Sequence, residues 1–155
     1  MSKSDARLKL VETVTDSAEG YRLQEQVGFI LRKANQRHLA IFAAHISDLT
    51  PPQFAALAKL HETGETSQNH LGQLIATDAA TIKGVIDRLK ARGLVALSEH
   101  KEDRRRLVVS LTDQGRATIE ALLPLAHAIT EETLAPLTPR EADTFLRLLA
   151  KLAEG

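Results

Sequence analysis

The chain has 155 residues, 43% of them apolar and 26% charged, an ordinary globular usage that fits one domain and excludes a wholly disordered chain. Its 20 basic and 20 acidic side chains cancel, and the absence of cysteine excludes a disulfide framework, a thiolate metal site and a thiol switch. No apolar run approaches the ~18–20 residues a membrane span needs, and the charged start Met1–Val14 lacks the apolar stretch of a secretory signal, so a soluble, cytoplasmic protein is expected.

The neutral total hides an uneven distribution. Residues 67–116 carry nine basic side chains against six acidic, whereas residues 117–155 carry three against six. One basic segment in a neutral chain points to a local anion-binding surface, the alternative being a solvated charged face.

In chain order, residues 1–20 read as a polar N-terminal arm, and residues 21–155 as a single domain. From Tyr21 to about Ile46, apolar residues recur in three- and four-residue steps, which predicts a long amphipathic helix. Thr50-Pro51-Pro52-Gln53 has the chemistry of a helix start: a Thr cap, Pro where its missing N–H costs nothing, and Gln to complete a capping box. Phe54, Leu57 and Leu60 form the inner stripe of that helix, and Gly64 stops it.

A short helix from Ser67 to about Ile75 and a second from Asp78 to Arg92 are separated only by Ala76 and Thr77. Composition then turns β-like over Leu94–Ser98 and Arg105–Leu111, on either side of the charged stretch Glu99–Arg104, which predicts a hairpin. A long helix follows from Thr112 to about Leu134, with Pro124 expected to bend it. A last one opens at Thr138-Pro139-Arg140-Glu141, with Phe145, Leu146, Leu149 and Leu152 expected to face inward. The fold class expected is mainly α with a small β-hairpin wing, a winged helix-turn-helix over about residues 50–111.

Such a unit has a physical logic. The major groove of B-DNA admits one α-helix, whose N-terminal side chains reach base edges. In the helix from Asp78, Ile82, Val85, Ile86 and Leu89 form the buried stripe, leaving Asp78, Ala80, Thr81, Lys83, Gly84, Asp87 and Arg88 outward. Thr81 and Lys83 are expected to contact bases and Arg88 a phosphate, while Ser67, Gln68 and Asn69 offer a helix N-terminus as phosphate anchor. Lys101, Arg104 and Arg105 would enter the neighbouring minor groove, with Asp103 orienting one guanidinium by a bidentate pair.

The run Asp103-Arg104-Arg105-Arg106-Leu107 through Leu111-Thr112-Asp113-Gln114-Gly115 resembles the wing signature of the MarR family of bacterial transcription regulators, an Asp-x-Arg, a strand, then Leu-Thr-x-x-Gly. Asp87 to Val95 resembles the family's recognition-helix ending, and Leu49 to Leu57 its Leu-Thr-x-x-Gln-x-x-x-Leu helix start. The likeness spans roughly residues 21–152, with the motifs in the family's order. It implies a homodimer joined through N- and C-terminal helices (about residues 21–46 and 112–153) on a pseudo-palindromic operator, with Asp103 and Arg105 in the Asp-x-Arg positions. A two-fold partner would also cover the apolar faces that the winged unit is too small to bury.

Within the family the chain is most similar to regulators of aromatic-acid breakdown, including those that sense hydroxylated nicotinate. The resemblance implies a small-molecule effector, an aromatic carboxylate, in a cleft lined by Phe42, His45, Phe54, His61 and His70. Phe42 and Phe54 would sandwich its ring, and a histidine or Arg32 would bind its carboxylate. The alternative is a zinc-responsive regulator of the same fold, using three histidines with Glu62 or Glu65, although no His-x-x-x-His or Glu-x-x-His spacing is present. No cofactor is expected. No Gly-x-Ser-x-Gly, phosphate loop or His-Glu-x-x-His motif is present, so an enzyme is not expected either.

Overall fold

The computed structural model describes residues 20–155; the expected arm over residues 1–20 lies outside them except for Gly20. The chain divides into two units, residues 1–37 and residues 38–155. In the described part of the first, a 3₁₀ turn at Leu23–Glu25 precedes α1 (Val27–His45), which runs on into the second unit. The long helix therefore starts at Val27, not at Tyr21. Gln26 adopts an extended backbone, and its side-chain amide donates to the Arg22 carbonyl at 3.0 Å. Tyr21 and Leu23 are 62% and 51% exposed, so no burial among the described residues holds a further helical turn there.

The second unit holds the core. α2 (Pro51–Thr63), β1 (Thr66–Ser67), α3 (Gln68–Leu74), α4 (Ala79–Ala91), β2 (Val95–Glu99), β3 (Leu107–Leu111), α5 (Asp113–Leu134) and α6 (Pro139–Glu154) follow in order. Leu57, Leu60, Leu71, Ile82, Ile86, Leu89, Val109 and Ile119 are fully buried where α2, α3, α4, β3 and α5 meet. Both capping boxes form. Thr50 Oγ1 accepts the Gln53 N–H at 3.3 Å while Gln53 Oε1 accepts the Thr50 N–H at 3.1 Å; Thr138 and Glu141 repeat the arrangement. Gln53 is buried and satisfied by that bond.

Ile75 and Asp78 cap α3 and α4, so Ala76 and Thr77 are the only residues between the caps. The turn is tight enough to hold Ala76 at φ 56°, a left-handed conformation unusual for a residue with a Cβ. The first strand is shifted by one residue and the second is two residues shorter than expected: the hairpin pairs Val95 with Leu111 and Glu99 with Leu107, leaving His100–Arg106 as the loop. A third strand was not anticipated. β1 pairs antiparallel with β3, Thr66 opposite Val109 and Ser67 opposite Val108, and gives the order β1-β3-β2.

Pro124 lies inside α5, which continues through it. On α6 the expected inward face is only partly covered within the single chain: Leu149 is half-buried, whereas Phe145, Leu146 and Leu152 are exposed, Leu152 at 67%, as is the neighbouring Leu148. No helix among the described residues is long and apolar enough to cross a membrane.

The Leu-Thr-x-x-Gly run is a junction. Thr112 caps α5 by accepting the Gly115 N–H at 3.0 Å, and its hydroxyl donates to the Gly93 carbonyl at 2.6 Å. Its backbone N–H donates to the Leu94 carbonyl at 3.2 Å. A Cβ at Gly115 would lie 1.9 Å from that same Leu94 oxygen, so only glycine lets the α5 N-terminus close on the end of α4. Gly115→Ala is expected to cost about 3 kcal/mol or more, because backbone rather than a flexible side chain must move. Chemical denaturation checks it: a loss under about 1 kcal/mol would mean the junction yields cheaply.

Candidate nucleic-acid interface

The surface built by α3, α4 and the wing takes its shape from local hydrogen bonds. Ser67 caps α3, its hydroxyl accepting the His70 N–H at 3.2 Å. Asp78 caps α4, Oδ1 accepting the Thr81 N–H at 2.8 Å. That backbone bond, reinforced by the Thr81 hydroxyl, holds the Asp78 carboxyl below the usual carboxylate range. The residue expected among the outward DNA contacts is thus occupied in starting the recognition helix. Ala80, Thr81, Lys83 and Arg88 are exposed as expected, opposite the buried Ile82, Val85, Ile86 and Leu89. Nothing lies within 4 Å of a Cβ placed on Gly84, so that face is open.

At the wing, Lys101, Asp103, Arg104, Arg105 and Arg106 are all exposed. The tip is closed by the His100 N–H on the Arg106 carbonyl and the Arg106 N–H on the Asp103 carbonyl, both 3.0 Å. Asp103 Oδ1 accepts the Arg105 backbone N–H at 3.0 Å. The expected bidentate pair with a guanidinium is therefore corrected: among the described residues Asp103 makes no ion pair, and its carboxylate shapes the turn that carries the arginines. The cationic groups stay available to a ligand.

The fold brings together residues distant in sequence. Ser67, Gln68 and Asn69 line one groove of about 240 Å³ with Arg105, Arg106 and Leu107. A second, of about 390 Å³, is lined by Thr66, Ser67, Asn69, His70, Gln73 and Arg106. Arg106 and Gln73 were not among the expected contacts. For Arg106 the signal was the β1–β3 pairing, which sets Ser67 opposite Val108, two residues beyond it, and a two-residue polar strand has no periodicity to read.

The expected effector residues are placed less simply. Phe42 and Phe54 meet edge to face, ring centroids 5.9 Å apart, so they leave no slot for a third ring between them and the sandwich is corrected. His45 Nε2 lies 2.7 Å from Glu132 Oε2, and His61 Nε2 3.2 Å from Glu120 Oε1. His38 Nδ1 is 2.9 Å from Thr133 Oγ1. His70 lines the second wing-base groove; Arg32 is exposed on α1 in the first unit. Among the described residues no three His, Asp or Glu side chains come together as a metal site, so the zinc alternative finds no cluster here.

A winged helix-turn-helix with a guanidinium-bearing hairpin beside an open recognition helix defines a DNA-binding module. Residues 49–107 match the MarR family model. The HTH-type transcriptional repressor NicR of Pseudomonas putida is 44% identical over 137 residues, covering 87% of each chain. The structure of Bordetella bronchiseptica BpsR, whose DNA binding is regulated by 6-hydroxynicotinic acid, is 44% identical with a TM-score of 0.84, covering 87% of this chain and 98% of that one. A MarR mutant from E. coli complexed with operator DNA is 25% identical at TM-score 0.76, covering 81% and 92%. The chain belongs to the MarR family. It is a DNA-binding transcription regulator and not an enzyme.

If the Asp103 carboxylate only shapes the turn, Asp103→Asn keeps the acceptor and operator affinity stays within about twofold, whereas Asp103→Ala loosens the tip and weakens binding by about fivefold or more. Fluorescence anisotropy on operator duplex distinguishes them; equal losses in both variants would restore a charge-pairing role.

Proposed function

We propose that the chain is a homodimeric cytoplasmic repressor that seats two copies of α4 in successive major grooves of a pseudo-palindromic operator. Each wing would place Arg105 in the adjoining minor groove, and a small aromatic acid releases the complex. The observation that carries this is the meeting of Ser67, Gln68 and Asn69 with Arg105 and Arg106 at one groove beside the exposed face of α4. Backbone and amide donors there face the same space as two guanidinium groups, an arrangement suited to successive phosphates of one strand. Lys101 and Arg104 extend the cationic surface at the tip.

The dimer is supported by the apolar residues the single chain leaves in water: Phe145, Leu146, Leu148 and Leu152 on α6, and Val27, Ile30 and Leu31 on α1. An isologous interface covers such stripes and sets two recognition helices about one DNA turn apart. For domain organisation, we read residues 21–155 as a single MarR-like domain in sequence, with the winged unit over 50–111 and the dimerising helices over 21–46 and 112–153.

Two similarities support the effector: the repressor NicR, and BpsR with its regulation by 6-hydroxynicotinic acid. Within the second unit Phe42, His45, Phe54, His61 and His70 remain the candidate ligand residues, the edge-to-face Phe pair supplying one apolar wall. Release requires the acid to bind a dimer with misplaced recognition helices better than the docked one, since equal affinity for both shifts nothing.

Arg105→Ala is expected to weaken operator binding at least tenfold with the dimer intact and to lower the salt slope by about one unit. Arg88→Ala should weaken binding to every duplex alike, whereas Thr81 or Lys83 substitutions change sequence preference. Titrations against operator and scrambled duplexes at several salt concentrations measure both; an unchanged affinity and slope for Arg105→Ala would refute the wing assignment. For the effector, 6-hydroxynicotinic acid at a hundred times its Kd adds about 2.7 kcal/mol, or roughly 5–10 °C in melting temperature. No shift with this or any other aromatic acid would overturn the effector class.

A further inference from the structure

The exposed face of α4 carries a feature that DNA docking by itself does not require. Lys83 Nζ lies 2.9 Å from Asp87 Oδ2 one helical turn on, with side chains 69% and 52% exposed. Pairs of this kind on a helix surface contribute only about 0.3–0.5 kcal/mol, and the order with the lysine first is the weaker one. Helix stability therefore does not account for a carboxylate on a surface that meets phosphates. Asp87 is flanked by the exposed Ala80, Arg88 and Lys90 and by the half-buried Gly84. An asparagine there would have the same shape and no repulsion.

We propose that Asp87 is a specificity-determining positioning residue, which holds the Lys83 ammonium on the helix and releases it only to a matching base edge. Away from the operator, a duplex offers Lys83 a phosphate, and phosphate must displace a carboxylate already in place. No counterion is released for that lysine, so non-specific binding gains nothing from it. At the operator, the O6 and N7 acceptors of a guanine take the ammonium. Asp87, freed at the same moment, accepts from the N4 amino group of a cytosine. The pair thus reads a G·C-containing step and gives up general affinity for discrimination. The inference rests on the proposed docking of α4.

The test is Asp87→Asn in the full-length dimer, alone and combined with Lys83→Ala, titrated against operator and an unrelated duplex over a series of salt concentrations. The single variant is expected to bind unrelated duplex about fivefold more tightly and to steepen its salt slope by about 0.9, while operator affinity changes less and the specificity ratio falls. In the Lys83→Ala background, Asp87→Asn is expected to leave the slope unmoved. An unchanged specificity ratio, or the same slope change without Lys83, overturns the inference. Arg105→Ala run alongside separates the two levels: loss of operator binding there with no response to Asp87→Asn refutes the ion-pair role alone, and no response to either refutes the docking.

Discussion

The reading surface depends on the closure of Thr112 and Gly115 over the end of α4. Three contacts meet there: the Thr112 hydroxyl on the Gly93 carbonyl, the Thr112 N–H on the Leu94 carbonyl, and the bare Cα of Gly115 against that same Leu94 oxygen. Gly93, at φ 72°, turns the chain out of α4 and into β2, and the same knot starts α5. Recognition helix, wing and long helix thus share one anchoring point within a few residues. Arg92 adds a tie of its own, donating from Nη1 to the Asp48 carbonyl at 2.6 Å, which fixes the C-terminus of α4 to the connection between α1 and α2. A helix held at its far end in this way presents its N-terminal turn as a rigid probe.

A chain of zero net charge that binds a polyanion must keep its acids from opposing its bases. Three carboxylates on the reading side are each engaged locally. Asp78 caps α4, Asp87 holds Lys83, and Asp103 takes the Arg105 backbone N–H. Each anion is anchored to a backbone amide or an ammonium, so none collapses onto the wing guanidinium groups. Arg104, Arg105 and Arg106 stay exposed as a result. The acidic excess of residues 117–155 falls on the long helices beyond the wing, where α5 carboxylates meet histidines. Local pairing, not total charge, decides where a phosphate can approach.

Features written by adjacent residues were legible in the sequence. Thr50-Pro-Pro-Gln and Thr138-Pro-Arg-Glu specify their own helix starts because every partner lies within four positions, and both form. The buried stripe of α4 followed from its period and is buried as read. What depended on distant partners was not legible. β1 exists only because β3 offers it a ladder, and Arg106 gains its place in the groove only through that pairing. Asp103 was misread because a carboxylate beside arginines suggests an ion pair, whereas the tight turn supplies a nearer backbone donor. The α6 stripe was read as inward although, among the described residues, Phe145, Leu146 and Leu152 stay exposed.

The histidines suggest how a small acid could reach the DNA-reading surface without touching it. His38, His45 and His61, on α1 and α2, each bond a side chain of α5: Thr133, Glu132 and Glu120. α2 also packs on α4, and α5 packs on β3, so these contacts lie one layer behind the recognition helix and the wing. An aromatic carboxylate bound among them would compete with Glu120 and Glu132 for the imidazoles, since its charge is of the same kind and it brings an apolar ring besides. In the proposed release, the exchange would replace bonds between helices with bonds to a free ligand, freeing α1 from α5 at His45 and α2 from α5 at His61. Each of the two contacts, with its carboxylate half-exposed, is worth at most about 1 kcal/mol, so the ligand's own differential affinity must supply the rest of the shift. The apolar core beneath, with Leu57, Leu60 and Ile119 fully buried, stays closed throughout. The proposed release would thus act on contacts between helices and leave the packed residues beneath the recognition helix untouched.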